Sequence, residues 1–168
     1  DPLNKTMFRT KARALVLGYQ SQNIDETGPY ASIYGFRGDS RTGPIDPTLT
    51  VRSPNRQIDT FGANLGYSFA KGDWQGDLGV SVINNVADAR GMQSTGGSIF
   101  EGFAESSAAE VLAHRVPGVD VRGMIIWKSW NFIAEYTTAT RAFDDFNLSF
   151  NDEGAKPSAY HTEIAYAF

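Results

Sequence analysis

The sequence predicts an all-β fold, an antiparallel transmembrane β-barrel, and three observations lead there. Large apolar residues alternate with small, polar or charged ones at a period of two. The alternating runs reach about ten residues, long for a sheet in water and usual for a strand that crosses a bilayer. Short and long connectors alternate between the runs, as when tight turns lie at one rim of a barrel and long loops at the other.

About seven runs follow in order. In the first, from Arg9 to Gln20, Leu15, Leu17 and Tyr19 share parity with Arg9, Lys11 and Arg13, which leaves its phase open. The second extends from Tyr30 to Asp39, and its phase is open as well. In 58–70, Phe61, Ala63, Leu65, Tyr67 and Phe69 alternate with Thr60, Gly62, Asn64, Gly66 and Ser68. In 74–85, Trp74, Leu78, Val80 and Val82 alternate with Gln75, Asp77, Ser81 and Asn85. In 119–129, Val119, Val121, Ile125 and Trp127 alternate with Asp120, Arg122 and Lys128. In 130–141, Trp130, Phe132, Ala134 and Tyr136 alternate with Asn131, Glu135 and Arg141, although Ile133 breaks the phase. In the last, Tyr160, Thr162, Ile164, Tyr166 and Phe168 alternate with Ala159, His161, Glu163, Ala165 and Ala167.

Alternation alone does not separate a soluble barrel from a membrane one, so the connectors carry the distinction. Lys71-Gly72-Asp73 and the residues near 128–130 read as tight turns, and 23–29 is short. The segments 40–57, 86–117 and 143–157 are long. Aromatic residues gather near strand ends, at Phe69, Trp74, Trp127, Trp130, Phe132 and Phe168, as an interfacial girdle requires.

Composition narrows the class further. With 168 residues, the chain reads as a single domain over 1–168. Lys and Arg number 15 against 19 Asp and Glu, and no basic stripe suggests nucleic-acid binding. No cysteine is present, which excludes disulfides, thiolate metal sites and a cysteine nucleophile. No apolar run approaches the roughly 18 residues of a membrane helix. The first residues, Asp1-Pro2-Leu3-Asn4-Lys5, lack a start Met and the charged-then-apolar pattern of a signal peptide.

The final Tyr166-Ala167-Phe168 resembles the C-terminal signature of bacterial outer-membrane barrels. Placing Phe168 at the periplasmic rim puts the three long loops outside and the tight turns at 71–73 and 128–130 inside. The first strand then starts at the outer rim, whereas single-chain bacterial barrels have an even strand number. Either this is the C-terminal part of a longer barrel, or an eighth strand lies near Leu49-Thr50-Val51.

Several segments carry a more specific resemblance, in order along most of the chain. They are Tyr34-Gly35-Phe36-Arg37-Gly38-Asp39, Phe61-Gly62-Ala63-Asn64-Leu65-Gly66-Tyr67 and Ile83-Asn84-Asn85-Val86-Ala87-Asp88. Val116-Pro117-Gly118-Val119-Asp120, Ile133-Ala134-Glu135-Tyr136-Thr137-Thr138 and Gly154-Ala155-Lys156-Pro157-Ser158-Ala159 continue it. Together they are similar to the C-terminal half of the LbtU-type siderophore porins. The resemblance implies a plug-free β-barrel in the outer membrane of a Gram-negative bacterium, taking up a ferric siderophore. It also implies outer-membrane lipid and lipopolysaccharide around the barrel, and further N-terminal strands, or another chain, to complete it.

In a barrel, inward charges set selectivity. The candidates facing the lumen are Arg37, Asp77, Asp120, Arg122, Lys128, Glu135, Arg141, His161 and Glu163. They form either a mixed-charge conduit for polar solutes or an ion-pair network that fills a narrow interior. In the loop 86–117, Phe100, Phe103, Ala104, Ala108, Val111 and Leu112 have helical spacing within Phe100 to Arg115. Such a helix either constricts the lumen or packs on neighbouring loops. Asp144, Asp145, Asn147, Asn151, Asp152 and Glu153 form an oxygen-rich run without EF-hand spacing, so a solvated loop is the simpler reading. His161 and Glu163 lack a third partner, so neither catalysis nor a transition-metal site is expected. No cofactor is implied. The function expected is an outer-membrane channel for a ferric siderophore or similar polar solute. A non-transporting adhesion barrel and a small soluble ligand-binding barrel are the competing readings.

Overall fold

The alternating runs become strands. A computed structural model describes residues 13–21, 27–38, 40–43, 58–88 and 111–168. In chain order the strands are β1 (Ala14–Gln20), β2 (Gly28–Phe36), β3 (Arg41–Thr42), β4 (Thr60–Lys71), β5 (Trp74–Ile83) and β6 (Val111–Leu112). They continue with β7 (Gly118–Trp127), β8 (Trp130–Ala139), β9 (Ser149–Phe150), β10 (Glu153–Gly154) and β11 (Ser158–Tyr166). One 3-10 turn, Val86–Asp88, follows β5.

Seven strands form one sheet in the order β1-β2-β4-β5-β7-β8-β11, each pair antiparallel. The order follows the chain, so every long strand pairs with its sequence neighbours among the long strands. β1 and β11 are edges, and the sheet is open among the described residues. The two short pairs, parallel β3–β6 and antiparallel β9–β10, lie in the long connectors.

Register keeps the two side-chain sets apart. Tyr19, Ala31, Leu65, Val80, Val121, Tyr136 and Tyr160 stand in one row across all seven strands. One residue further along each strand, Gln20, Tyr30, Gly66, Gly79, Arg122, Glu135 and His161 make the equivalent row on the opposite face. A slip of one residue at any pairing would exchange the faces.

The apolar face is exposed. Leu65, Ile164 and Tyr160 are 62%, 67% and 82% accessible, and Leu15, Leu17, Ile33, Leu78 and Val121 are likewise open. The core lies elsewhere. Phe36, Ile83 and Ala139, on the polar face at the long-connector end, pack with Val86, Ala87, Leu112, Val116, Phe143 and Leu148 from the connectors. The described parts of the long connectors therefore fold over one end of the polar face and leave the apolar face exposed among the described residues.

At the other end the turns are tight. Gly72-Asp73 joins β4 to β5 with Gly72 at φ +60°, and Lys128-Ser129 joins β7 to β8 with Lys128 at φ 53°. The Lys128 amide donates to the Asp73 carbonyl at 3.2 Å, tying the turns together. Beside them Lys71, Trp74, Trp127, Trp130 and Tyr166 share one row of the apolar face. Trp74 stacks on Trp127 at 5.6 Å, Trp130 meets Tyr166 edge-on at 4.9 Å, and Tyr166 meets Phe168 at 5.2 Å.

Two expectations fall differently. Phe100, Phe103 and the eighth strand near 49–51 lie outside the described residues. The helix expected through Arg115 does not include Val111 and Leu112, which pair in parallel with Arg41 and Thr42 as β6. The Gly43 amide donates to the Leu112 carbonyl at 3.1 Å, and Leu112 enters the core. Strand pairing and burial thus override the local helical spacing.

Glycine substitutions separate backbone from packing effects. A Cβ at Gly72 meets nothing within 4 Å, so Gly72→Ala loses only the left-handed preference, about 1 kcal/mol. A Cβ at Gly62 would lie 2.1 Å from the Tyr34 ring, so Gly62→Ala is the more damaging change. Urea unfolding midpoints should rank the variants in that order.

Candidate functional site

The polar face has a floor of glycine. Tyr30 on β2 stands opposite Gly66 on β4, which stands opposite Gly79 on β5, which stands opposite Arg122 on β7. A Cβ at Gly66 would lie 2.1 Å from the Tyr30 ring tip, and one at Gly79 would lie 2.9 Å from its hydroxyl. Both positions must lack a side chain for Tyr30 to lie across two strands.

The Tyr30 hydroxyl is the centre of a network. It donates to Asp77 Oδ1 at 2.8 Å and accepts from Arg122 Nη2 at 3.3 Å. The Ser68 hydroxyl donates to the second Asp77 oxygen at 2.9 Å. Arg122 also donates to Ser81 Oγ and Asn64 Oδ1, both at 2.9 Å, and lies 3.5 Å from Asp120. Asp120 is buried and accepts from the Thr137 hydroxyl at 2.8 Å. Five strands of the large sheet, β2, β4, β5, β7 and β8, contribute to this chain of contacts, with β4 supplying Asn64 and Ser68. An open groove of about 560 Å³ lies over it, lined by Tyr30, Ser32, Ser68, Asp77, Arg122 and the β1 residue Gln20.

The expected charges divide into two groups. Asp77, Asp120, Arg122, Glu135, His161 and Glu163 all stand on the polar face. Arg122 faces Glu135 across β7–β8, and Glu135 faces His161 across β8–β11. His161 Nε2 is 4.0 Å from Glu163, an exposed contact of small energetic weight. Arg37, Lys128 and Arg141 do not join them. β2 ends at Phe36 and β8 at Ala139, which leaves Arg37 and Arg141 in connectors, exposed. Lys128 occupies a two-residue turn, 3.9 Å from Asp73 and 5.5 Å above the Trp127 ring. β2 and β8 therefore stop earlier than the extended alternation suggests.

A second polar cluster, at the long-connector end, escaped sequence reasoning. The buried Asp88 carboxylate accepts from the Ser40 amide at 2.9 Å, the Ser40 hydroxyl at 2.6 Å, Asn85 Nδ2 at 3.0 Å and the Thr60 hydroxyl. It joins the 40–43 segment, the start of β4 and the 3-10 turn. Beside it, Arg115 pairs with Asp59 at 3.0 Å, and Asp59 accepts from the Gly38 amide at 3.2 Å. Asn147 is also buried, donating to the Val111 carbonyl at 2.8 Å and accepting from the Ala113 amide at 3.0 Å. These groups fix the connectors as a cap over the polar face. The sequence signal for the cap is slight: polar residues next to Val86, Ala87, Leu112 and Leu148.

No group of three or more His, Cys, Asp or Glu suited to a metal occurs among the described residues. In the 143–157 loop two of the carboxylates bond to the backbone. Asp144 and Asp145 both accept from the Phe146 amide, at 3.1 and 2.9 Å.

The described residues thus define an all-β protein whose antiparallel sheet has one bare apolar face and one networked polar face. The chain is similar to a UPF0422 protein of Coxiella burnetii, 37% identical over 99% of this chain and 32% of that protein. It is also similar to the UPF0422 protein lpl2888 of Legionella pneumophila strain Lens, 34% identical over 100% of this chain and 30% of that one. The protein lpp3030 of the Paris strain is 34% identical over 99% of this chain and 29% of its own length. The chain spans about a third of the length of the curated relatives it matches. No protein-family model matches it, and no solved structure matches it. The relatives' names state no activity.

Removing the Asp88 carboxylate leaves the Ser40, Thr60 and Asn85 donors buried without their acceptor. Asp88→Ala should cost about 3 kcal/mol, and Asp88→Asn less because one oxygen remains. Amide hydrogen exchange should speed up in 40–43 and 84–88 while β7 and β8 stay protected.

Proposed function

We propose that this chain is a segment of an outer-membrane β-barrel that conducts a small polar solute, a ferric siderophore or a compound of similar polarity. The carrying observation is the inverted packing of the sheet. Its polar face holds the ordered hydrogen-bond network and the connector core, while the large side chains of its apolar face stay exposed among the described residues. In water, full exposure of a large apolar side chain forfeits about 1.5–3 kcal/mol relative to burial. About five such residues match the entire net stability of an ordinary domain. Hydrocarbon removes that cost, and the face has suitable dimensions. Phe61 and Lys71 are the ends of the apolar row set on β4. The stretch between them covers about 34 Å along the strand, or about 25 Å of bilayer at a usual barrel tilt. The Trp and Tyr row by the tight turns suits one membrane interface.

Closure falls to other strands. Free backbone groups on β1 and β11 cannot remain unpaired in hydrocarbon. The greater length of the matched relatives supports additional strands of the same polypeptide as the partners, with another chain as the alternative. The origin of those relatives in Gram-negative bacteria fits an outer-membrane location. The reading includes no catalytic step and no cofactor.

One observation favours a second reading, a non-transporting adhesion barrel. Phe146 and Phe150 are 77% and 71% exposed on the connector that carries β9 and β10. That connector is anchored by Asn147 and Leu148, so the rings are presented to a partner rather than tucked away. Reconstitution of the full-length protein in planar bilayers separates the readings, since only a transporter conducts.

The membrane assignment has a sharper test in two single substitutions. Val121→Arg, on the middle row of the apolar face, should cost about 2–4 kcal/mol in a bilayer, whereas Ala159→Arg on the polar face should cost under about 1. Folded fractions read by heat-modifiable gel migration and urea titration would show the split. For a sheet facing water, Val121→Arg would stay within about 0.5 kcal/mol, and that result would remove the membrane reading.

A further inference from the structure

We propose that the groove above Tyr30 is a binding subsite for a neutral, hydroxyl-rich solute such as an oligosaccharide or polyol. The proposal rests on the channel reading, in which solute reaches the groove from inside the barrel.

Three features select that chemistry. The first is the ring itself. Tyr30 lies across glycine positions on two adjacent strands, and its side chain is held there through its hydroxyl by Asp77 and Arg122. A pinned ring beside an open groove offers a fixed apolar surface to the C–H face of a sugar or polyol. The second is the density of hydrogen-bonding groups around it. Ser32, Ser68, Asp77, Arg122 and Gln20 line the same groove and supply both donors and acceptors. A cavity of about 560 Å³ accommodates a compound of two or three sugar rings.

The third is local charge. The Arg122 guanidinium is already engaged by Ser81, Asn64 and Tyr30 and stands 3.5 Å from the Asp120 carboxylate. Asp77 adds a second carboxylate on the other side of the Tyr30 hydroxyl. An incoming anion therefore meets a guanidinium whose N–H donors are largely engaged, with two carboxylates close by to repel it. A metal ion finds no set of three ligating residues among the described residues. A neutral solute avoids both penalties and exchanges hydrogen bonds with the network.

The experiment is titration calorimetry on the detergent-solubilised full-length protein with three probes: maltotriose, citrate and spermidine. Maltotriose should bind more tightly than either ion. Tyr30→Ala should weaken maltotriose binding about tenfold, the loss expected for one aromatic contact. Gly66→Ala should weaken it too, because the added carbon would lie 2.1 Å from the Tyr30 ring tip and must displace it. Tyr30→Phe, which keeps the ring, should lose less than Tyr30→Ala. Lys156→Ala, at an exposed position of the connector before β11, should bind as the unmodified protein does. Tighter binding of citrate or spermidine, no binding of maltotriose, or indifference to Tyr30→Ala would each overturn the proposal. The order of the three probes on the unmodified protein needs no variant, so a misfolded Tyr30→Ala does not rescue it. Calorimetry needs no current. A protein that binds maltotriose but is silent in planar bilayers would refute the channel reading and not the subsite.

Discussion

Strand register is the constraint on which the rest of this structure depends. Seven strands pair in sequence order, and each pairing holds large apolar residues opposite one another on one side. The polar network exists only because the same pairings align Tyr30, Gly66, Gly79 and Arg122 on the other. Pairing energy along a strand is modest per residue, but the period of two makes any slip exchange the two faces completely. The bare face and the networked face are therefore one feature seen from two sides.

The two ends of the sheet are built differently for the same reason. At the tight-turn end, left-handed Gly72 and Lys128 let each hairpin close in two residues, and aromatic side chains fill the row beside them. At the other end the connectors are long enough to fold back. They do so onto the polar face, where Ile83, Ala139 and Phe36 give them an apolar seat and Asp88 collects donors from three segments. A buried carboxylate is tolerated there because its oxygens accept hydrogen bonds from four groups. The polar face of the sheet is thus capped at one end and open over Tyr30.

Side-chain reach explains which candidate residues assembled and which did not. Asp77, Asp120 and Arg122 come together because they occupy neighbouring rows on adjacent strands, and a Tyr can span the glycine floor between them. Lys128 and Arg141 continue the polar alternation in sequence but lie past strand ends, and Arg37, past the end of β2, has the parity of Ile33 on the apolar face. Val111 and Leu112 show the same effect in the other direction. Their spacing suits a helix, yet a two-residue parallel pairing with Arg41 and Thr42 and burial of Leu112 decide their conformation.

The sequence by itself determined the seven long strands, the faces along the five runs from residue 58 onward apart from breaks such as Ile133, and the alternation of tight turns with long connectors. These follow from a period of two and from turn chemistry, which are local properties. Tertiary structure alone decided where the core lies, that Asp88 and Asn147 hold the connectors down, and that Gly66 and Gly79 make room for Tyr30. Those contacts join residues tens of positions apart, and no local pattern records which polar groups will meet once strands are side by side. The physical reason is that alternation fixes the direction of a side chain, whereas its partners depend on the register of every pairing in between.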